Sequence, residues 1–394
     1  MDEALEYVHA ICFKTGPPRR VGVELEWTVH YADDPGRPID PSILRSALGD
    51  HTPRTLDPGS PQKALPEGDS LTLEPGGQVE LSSPPHDSLA QLHSATAADL
   101  SYLADRLARA GLRMGEHGID PYRPPRQLLR TLRYDAMAES FARSGSGGLT
   151  MMCGTAATQV CLDAGEPGQV ATRWHTLHAL GPVLLALFAN SPRHAGSDTG
   201  WASARMRAWL DTDPSRTWPV AGADPTTAWG QYALAAPLLC LRRQRGSWHP
   251  PAGMTFADWI AGAVRPPPTV DDLDYHLGTL FPPVRPRGYV EARFLDAQPP
   301  GEWIAPVAVL AALFADATTT EAARELTEPV AGAWSTAARR GLADAALRST
   351  AEAVAELGCR SLDRTDLAPG TRELVAEIVS RRLAGGGERA TWKP

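Results

Sequence analysis

The stretch GVELEW, residues 22–27, carries two glutamates one residue apart in an otherwise apolar run. On an extended strand alternate side chains point to the same face, so Glu24 and Glu26 share one face and lie about 7 Å apart. The opposite face is uniformly apolar and consists of Val21, Val23, Leu25, Trp27 and Val29. We therefore predict a strand that packs its apolar face on a core and presents two carboxylates to a cation.

Two later segments repeat this pattern. In LTLEPGGQVELSSPP, Glu80 lies on the polar face of a short strand, and Glu74 precedes the Pro-Gly-Gly turn that joins this strand to the one before it. In GYVEARFLD, Glu291 and Arg293 share the polar face. If the three segments pair in one sheet, four or five carboxylates collect on one side of it, and burial with mutual repulsion raises some of their pKa values.

A bound divalent cation would remove this repulsion. Hard oxygen ligands suit Mg²⁺ or Mn²⁺, which keep coordination positions open for water and phosphate. A single glutamate on the wet face of an antiparallel strand is ordinarily just solvated, and this interpretation stays open for each strand taken alone. Because glutamate is depleted in strands, three such strands together favour a common site.

Composition narrows the class of protein. The chain has 394 residues, of which 43% are hydrophobic, so it can bury a large core, and we predict one large domain with a helical C-terminal part. A formal net charge of −8 argues against nucleic acid or an anionic membrane as partner. Anionic substrates would therefore need local arginines and metal ions.

The predicted location is the cytoplasm. The N-terminus is acidic and amphipathic rather than basic and apolar, so it does not resemble a signal peptide, and no apolar run reaches the roughly 20 residues of a membrane span. The five cysteines are odd in number and far apart, which is typical of free thiols in a reducing compartment. We expect a monomer or a weak dimer.

The remaining segments predict helices more than strands. SGSGG at 144–148 lacks the spacing of a phosphate-binding P-loop, and no strand leads into G-x-G-x-x-G, so a nucleotide would be held without the two commonest phosphate cradles. Periodicity predicts a strand at 155–163 and helices at 2–13, 42–48, 89–110, 167–189, 302–318, 319–340, 341–357 and 370–384, followed by a frayed tail. His175 and His178 could hold zinc but are better explained as structural.

A resemblance emerges from five motifs taken in order: GVELEW, LEPGGQVELSSPP, TMMCGTAATQVCLD, SARMRAWLDTDPSRT and HLGTLFPPVRPRGYVEARFLD. With them the chain resembles the plant-type glutamate-cysteine ligases and, more closely, their actinobacterial relatives that start ergothioneine synthesis. The resemblance covers about residues 20–300. It implies an α+β, glutamine-synthetase-like fold, in which a funnel-like antiparallel sheet forms the active site, with a catalytic domain at 1–300 and a helical part at 301–394 packed on it.

The resemblance also implies site residues. Two or three Mg²⁺ ions, with Mn²⁺ as an alternative, would be held by Glu24, Glu26, Glu80 and Glu291. Substrate and nucleotide would contact Gln159, Arg205, Arg216, Arg293 and Glu74, and the implied catalytic residues are Glu24, Glu26 and Arg293. For Gln159 an ordinary polar strand residue stays an alternative, and for Arg205, Arg207 and Arg216 a surface ion pair. Cys161 departs from the family, which usually has Asn there.

The activity implied is ATP-dependent ligation of L-glutamate, through its γ-carboxylate, to L-cysteine by way of a γ-glutamyl phosphate. This would be the first step of ergothioneine synthesis, with glutamate, cysteine and ATP as the small-molecule partners. Two alternatives remain: a related carboxylate-amine ligase that uses another amine, and a non-catalytic metal-binding module. The paired-hydrogen-bond geometry of arginine argues against the latter, since a cation store has no use for it.

Overall fold

The fold is built on a six-stranded antiparallel sheet. The structure, a computed structural model, describes residues 1–16, 20–243 and 246–385. The strands of the main sheet are β1 (Val21–Trp27), β3 (Ser70–Leu73), β4 (Val79–Ser82), β6 (Ala157–Leu162), β9 (Val284–Pro286) and β10 (Val290–Asp296), in the spatial order β3-β4-β1-β6-β10-β9. Two small two-stranded sheets pair β2 (Val29–Tyr31) with β5 (Leu112–Met114) and β7 (Arg193–His194) with β8 (Ser197–Asp198).

Strand β1 lies near the centre of the sheet between β4 and β6, and its alternation explains that position. The apolar side chains of Val23, Leu25 and Trp27 are almost fully buried, as the sequence predicted. The indole nitrogen of Trp27 donates a hydrogen bond to the carbonyl oxygen of Gln298, 2.9 Å away. The polar side of the sheet is covered as well, since every residue of β10 is buried.

Helices cover the sheet. Before β9 they are α1 (Asp2–Cys12), α2 (Pro41–Leu48), α3 (Leu89–Arg109), α4 (Leu132–Ala142), α5 (Gly147–Gly154), α6 (Val170–Phe188), α7 (Ala204–Leu210), α8 (Pro214–Thr217), α9 (Pro225–Ala235), α10 (Phe256–Ile260) and α11 (Val270–Leu277). After β10 they are α12 (Ile304–Leu313), α13 (Ala317–Thr327), α14 (Trp334–Arg340), α15 (Ala345–Ser361) and α16 (Pro369–Leu383). The helical C-terminal part is therefore confirmed.

Helix α6 joins the sheet to the C-terminal helices. It packs against β10 on one side and against α13, α14 and α15 on the other. A side chain at Gly181 would collide with the ring of Trp334, whose nearest atom lies 2.0 Å from the Cβ position, so the close approach of α14 requires glycine there. The helices after residue 300 thus share the core of the sheet, and the division of the chain at that residue stays a prediction.

Several predicted helix boundaries in this part are wrong: the helix expected at 302–318 is Ile304–Leu313, and the one expected at 341–357 is Ala345–Ser361. The run expected at 319–340 is two helices, α13 and α14, because Pro329 lies in a short 3₁₀ turn, Glu328–Val330, between them. The first of these begins earlier than expected, since the carboxylate of Asp316 caps it by accepting a hydrogen bond from the backbone N of Thr319 at 2.8 Å. The predicted frayed tail is residues 385–394, and all of it but Gly385 lies outside the described residues.

Across the described ranges, no single helix combines the length and apolarity needed to cross a membrane. One bent pair, Ile304–Leu313 with Ala317–Val330, passes that test on length and composition, with a bend of 106° between its members. In the fold the first member of this pair is a core helix, because all but one of its residues are buried.

Candidate active site

Sheet pairing brings the predicted acidic residues to one face. Glu26 lies directly opposite Glu80 on β4, and Glu24 lies opposite Gln159 on β6. On the far side of β6, Glu291 lies opposite Cys161, which is two residues from Gln159. Directly opposed residues of antiparallel strands share a face, so all four glutamates stand on the same side of the sheet. The structure therefore confirms the expectation that the three acidic segments pair in one sheet.

Glu74 joins this cluster from the turn between β3 and β4. The turn closes with a hydrogen bond from the backbone N of Gly77 to the carbonyl oxygen of Glu74, at 2.8 Å. A Cβ on Gly76 would lie 2.1 Å from the carbonyl oxygen of Cys153, so only glycine lets the turn press against the end of α5. Burial there raises the pKa of Glu74 well above its ordinary value, and the charges of Glu80 and Glu26 raise it further.

Burial and mutual repulsion leave most of these carboxyl groups hard to ionise. Burial, followed by the charges of neighbouring glutamates, raises the pKa values of Glu24 and Glu80 to about 7. Burial also raises the pKa of Glu26, although the guanidinium groups of Arg205 and Arg293 oppose that rise. The raised pKa values expected from the sequence are thus present at Glu24, Glu26 and Glu80.

Glu291 is the exception. It is fully buried, and burial opposes its ionisation, but the guanidinium groups of Arg285 and Arg293 outweigh that cost and lower its pKa to about 2. Nε of Arg285 and Nη1 of Arg293 each donate a hydrogen bond to the same carboxylate oxygen, Oε2, at 2.8 Å. The other oxygen, Oε1, is buried without a hydrogen-bond partner among the described residues.

Arg293 is the cation common to the whole cluster. Its charge opposes the burial-driven rise in the pKa values of Glu24, Glu26, Glu74 and Glu80, and it helps to lower the pKa of Glu291. Only 6% of its surface is exposed, and its guanidinium carbon lies 5.7 Å from the centre of the Trp209 ring. Nε of Arg293 lacks a hydrogen-bond partner in the part of the chain that the structure describes. A donor is thus left available beside the carboxylates.

Arg205 also reaches this face. It is 1% exposed, which rules out the alternative of a surface ion pair. Its Nη2 donates to the carbonyl oxygen of Arg293 at 2.8 Å, and its charge lowers the pKa of Glu26. Burial lowers the pKa of the Arg205 guanidinium itself.

Two other arginines of the same motif do not reach the cluster. Arg216 is completely buried, and its guanidinium is occupied by the carboxylate of Asp213, by the carbonyl oxygen of Thr279 and by that of Pro237. The prediction that it meets substrate is not supported by this arrangement, because each of its three nitrogens already has a partner inside the fold. Arg207 is exposed and lies 3.6 Å from Asp211, the surface ion pair that was its alternative.

Gln159 is buried in contact with the acids. Its Nε2 donates to Oε1 of Glu26 at 2.7 Å, while the backbone N of Ala157 donates to Oε2 of the same carboxylate at 3.0 Å. Oε1 of Gln159 is buried and has no partner among the residues described, so it can accept a hydrogen bond from a ligand. Gln159 is 2% accessible, and its role in binding stays a prediction beside the alternative of an ordinary polar strand residue.

The two helix histidines have structural surroundings. Nε2 of His175 lies 3.1 Å from the carbonyl oxygen of Gly222, and Nδ1 of His178 lies 2.9 Å from that of Trp174. These contacts agree with the structural interpretation rather than with zinc binding.

The donors of the cluster suit a hard divalent cation by their chemistry. No group of three His, Cys, Asp or Glu side chains within the described ranges is arranged to hold a metal ion. Even so, several carboxylates share one face, burial and the neighbouring glutamates raise the pKa values of Glu24 and Glu80, and Oε1 of Glu291 has no partner among the described residues. Oxygen donors of this kind match Mg²⁺ and Mn²⁺.

A cavity of about 370 Å³ opens beside Glu24. Its walls include Ser83, Cys161 and Tyr289, and Lys14 and Arg20 contribute positive charge. A separate cavity of about 440 Å³ lies between the start of α6 and the segment that joins α12 to α13. Of these two cavities, the smaller is lined by a residue of the acidic cluster, Glu24, and so adjoins that face.

Sequence reasoning missed Arg285, Arg133 and Asp296. Arg285 lies opposite Glu291 in the β9–β10 hairpin, and the short spacing between the two residues was a signal that could have revealed the pair. Arg133 lowers the pKa of Glu74 from a helix that carried no motif signal. Asp296 reaches the polar side through a register shift between Ala292 and Leu295, which strand alternation cannot predict.

Solved structures with this fold identify its class. The chain resembles the crystal structure of a glutamate-cysteine ligase from Francisella tularensis in complex with AMP, with a TM-score of 0.55 and 12% identity over 95% of this chain and 84% of that one. It also resembles a bifunctional glutathione synthetase from Pasteurella multocida, with a TM-score of 0.52 and 14% identity, covering 99% of this chain and 51% of that chain. The fold is thus that of glutamate-cysteine ligase structures, as predicted.

Sequence comparison then identifies the family. The profile of Glutamate-cysteine ligase family 2 (GCS2) matches residues 20–392. Glutamate-cysteine ligase EgtA of Mycolicibacterium smegmatis is 40% identical over 89% of this chain and 82% of its own, and EgtA of Mycobacterium tuberculosis is 40% identical over 98% and 90%. The chloroplastic glutamate-cysteine ligase of Medicago truncatula is 31% identical over 77% of this chain and 63% of its own. The chain belongs to glutamate-cysteine ligase family 2, which confirms the predicted family and enzyme class.

Proposed function

We propose that the protein joins the γ-carboxylate of L-glutamate to the amine of L-cysteine at the expense of ATP. The products would be γ-glutamylcysteine, ADP and phosphate. The observation that carries this proposal is one face of the sheet that combines Glu24, Glu80 and Glu291 with the guanidinium group of Arg293. Such a face suits a reaction whose transition state spreads negative charge over phosphoryl oxygens.

The reaction would proceed in two steps. In the first, an oxygen of the glutamate γ-carboxylate attacks the terminal phosphorus of ATP, and the bond to ADP breaks to leave γ-glutamyl phosphate. In the second, the amine of cysteine attacks the activated carbonyl carbon, phosphate leaves, and the amine loses a proton. The protein's part is to hold two anionic reactants in line and to stabilise the charge that develops between them.

Four glutamates would hold the metal ions of this reaction: Glu24, Glu26, Glu80 and Glu291. Two or three Mg²⁺ ions, or Mn²⁺, would supply positive charge that neutralises the phosphates of ATP. Glu74 would support these ligands from the neighbouring turn. The raised pKa values of Glu24 and Glu80 support this assignment, because a carboxyl group poised near neutrality ionises readily when a cation arrives.

The arginines and Gln159 would bind the substrates. A guanidinium group makes paired hydrogen bonds to carboxylate or phosphate, so we assign Arg293 to the phosphoryl group and Arg205 to a carboxylate of glutamate. Both have an Nε atom without a partner in the described part of the chain. Gln159, whose Oε1 is also unpartnered, would accept a hydrogen bond from bound glutamate or from water on the metal ions.

The EgtA relatives support a place at the start of ergothioneine synthesis. The five free cysteines agree with a reducing compartment, and the cytoplasm stays a prediction, as does a monomer or weak dimer.

The test is to incubate the protein with ATP, Mg²⁺, glutamate and a panel of single amino acids, and to identify each new peptide by mass. We expect γ-glutamylcysteine and stoichiometric ADP with cysteine only. A product formed preferentially with another amine would instead support a related ligase. Magnesium binding without ADP release would support a non-catalytic module, which the buried arginines disfavour.

A further inference from the structure

Asp296, at the end of β10, is completely buried and fully engaged. Its Oδ2 accepts hydrogen bonds from the backbone N of Asn190 at 2.8 Å and from the hydroxyl of Ser191 at 2.7 Å. Its Oδ1 accepts one from the hydroxyl of Ser203 at 2.7 Å and lies 4.0 Å from Nη1 of Arg205. Both oxygens of Asp296 are thus engaged with the segments that lead into the Arg205 motif.

The two serines also form hydrogen bonds with backbone N atoms of the helix that carries Arg205. The hydroxyl oxygen of Ser191 accepts a hydrogen bond from the backbone N of Arg205 at 3.1 Å. The hydroxyl oxygen of Ser203 caps α7 by accepting one from the backbone N of Met206 at 3.1 Å. The carboxylate of Asp296 therefore holds the start of α7 in place through the two serines. Its charge also acts on the side chain of Arg205.

The guanidinium of Arg205 is held on its other sides as well. Its Nη2 donates to the carbonyl oxygen of Arg293, and its carbon lies 4.9 Å from the centre of the Trp209 ring. Trp209 is itself fixed, because its indole nitrogen donates to the carbonyl oxygen of Phe281 at 2.7 Å. The Nε of Arg205 has no hydrogen-bond partner among the described residues.

We propose that Asp296 is a positioning residue for the glutamate substrate, which aims Arg205 at a substrate carboxylate without touching the substrate itself. This inference rests on the proposed function. A buried guanidinium that is to bind an anionic substrate needs an acid beside it, so that it stays charged and oriented before the substrate arrives. Asp296 supplies that acid from the end of the strand that also carries Glu291 and Arg293.

The test is Asp296→Asn, which keeps the side-chain shape and removes the charge. Hydrogen bonds to charged groups are the stronger ones, so we expect kcat/KM for glutamate to fall by roughly 10- to 100-fold, chiefly through KM. The KM values for ATP and cysteine should change by less than about twofold. Steady-state ADP release measured against each substrate in turn separates these effects.

A double-mutant cycle shows whether the effect passes through Arg205. We expect Asp296→Asn to add little to the loss caused by Arg205→Ala, because the positioned group is then already absent. Asp99→Asn is the matched control: Asp99 is also fully buried and accepts two backbone hydrogen bonds, from Glu67 and Asp69, but lies away from the cluster. It should lower the melting temperature and leave the KM for glutamate unchanged.

An unchanged KM for glutamate in Asp296→Asn, or losses that multiply in the cycle, would overturn the inference. If Asp296→Asn does not fold, Ser191→Ala is the variant to test, because it removes the hydroxyl between Asp296 and the Arg205 backbone. A raised KM for glutamate in Ser191→Ala supports the inference, and an unchanged KM refutes it. Failure of the wild-type chain to form γ-glutamylcysteine would count against the proposed function instead.

Discussion

The two ends of the acidic face hold the same residue type in opposite electrostatic states. On the β1–β4 side, burial and neighbouring acids raise the pKa values of Glu24 and Glu80 to about 7. On the β9–β10 side, the charges of Arg285 and Arg293 overcome burial and lower the pKa of Glu291 to about 2. The difference shows that the degree of burial alone does not decide whether a glutamate is ionised. It also shows that the β1–β4 side is the one that lacks a cation of its own.

The largest expected effect follows from Glu291→Gln. Without this carboxylate, Arg285 and Arg293 would be left buried together with no counter-ion between them, so we expect ADP formation to be lost and the free energy of unfolding to fall by about 3 kcal/mol. Coupled ADP assays and urea denaturation measure the two losses. If Glu291→Gln kept both its activity and its stability, the ion pairs that Glu291 makes with Arg285 and Arg293 would not be what distinguishes this end of the face.

Glu80→Gln tests the other half. We again expect ADP formation to be lost, but at pH 8 the free energy of unfolding should stay the same or rise, because the substitution removes a buried negative charge that has no cation of its own. The same two measurements apply. A loss of stability as large as that of Glu291→Gln would remove the contrast between the two ends.

Arg293→Lys tests whether the cation shared by both ends of the face must be a guanidinium group. Lysine keeps the charge but not the planar fork, so we expect kcat to fall by roughly 100-fold, a larger effect than the accompanying loss of stability. The control is Arg207→Ala, which removes an exposed arginine of the neighbouring motif and should leave kcat within about twofold. If Arg293→Lys melted at a lower temperature but kept its catalytic activity, Arg293 would contribute to stability and not to catalysis.

The smallest effect is the pH dependence of stability. Glu24 and Glu80 have folded-state pKa values near 7, above their ordinary value of 4.5, so the folded chain holds their protons longer and stability falls as the pH rises from about 4.5 to 7. The contribution of Glu291, with its lowered pKa, is present above about 4.5 and is lost as the pH falls towards 2. Melting temperatures in a pH series check both slopes.

Repeating the pH series with added Mg²⁺ tests whether these carboxylates bind a metal ion. A cation bound to ionised Glu24 and Glu80 stabilises the folded chain only where they can lose their protons, so added Mg²⁺ should raise the melting temperature more at pH 8 than at pH 5. Glu80→Gln should reduce this gain. An equal gain at both pH values would contradict a metal role for these carboxylates.

Strand alternation was enough to predict most of the acidic face. Glu24, Glu26, Glu80 and Glu291 each lie on the polar side of a strand, and the structure places those sides together. The arginines were predicted less well, because a long side chain reaches in a direction that sequence spacing does not specify. Arg205 and Arg216 belong to one motif, yet the first faces the acids and the second is used up by Asp213 and backbone carbonyls.

The amino-acid sequence by itself determined the family and the polar sides of the strands, because motif order and the two-residue period of a strand are local properties. Only the tertiary structure decided which carboxylates have counter-ions. That choice depends on strand order, which sets Arg285 beside Glu291, and on the register shift in β10 that places Asp296 behind Arg205. Both are long-range contacts, and charges in a buried site act through distance in space rather than through separation along the chain.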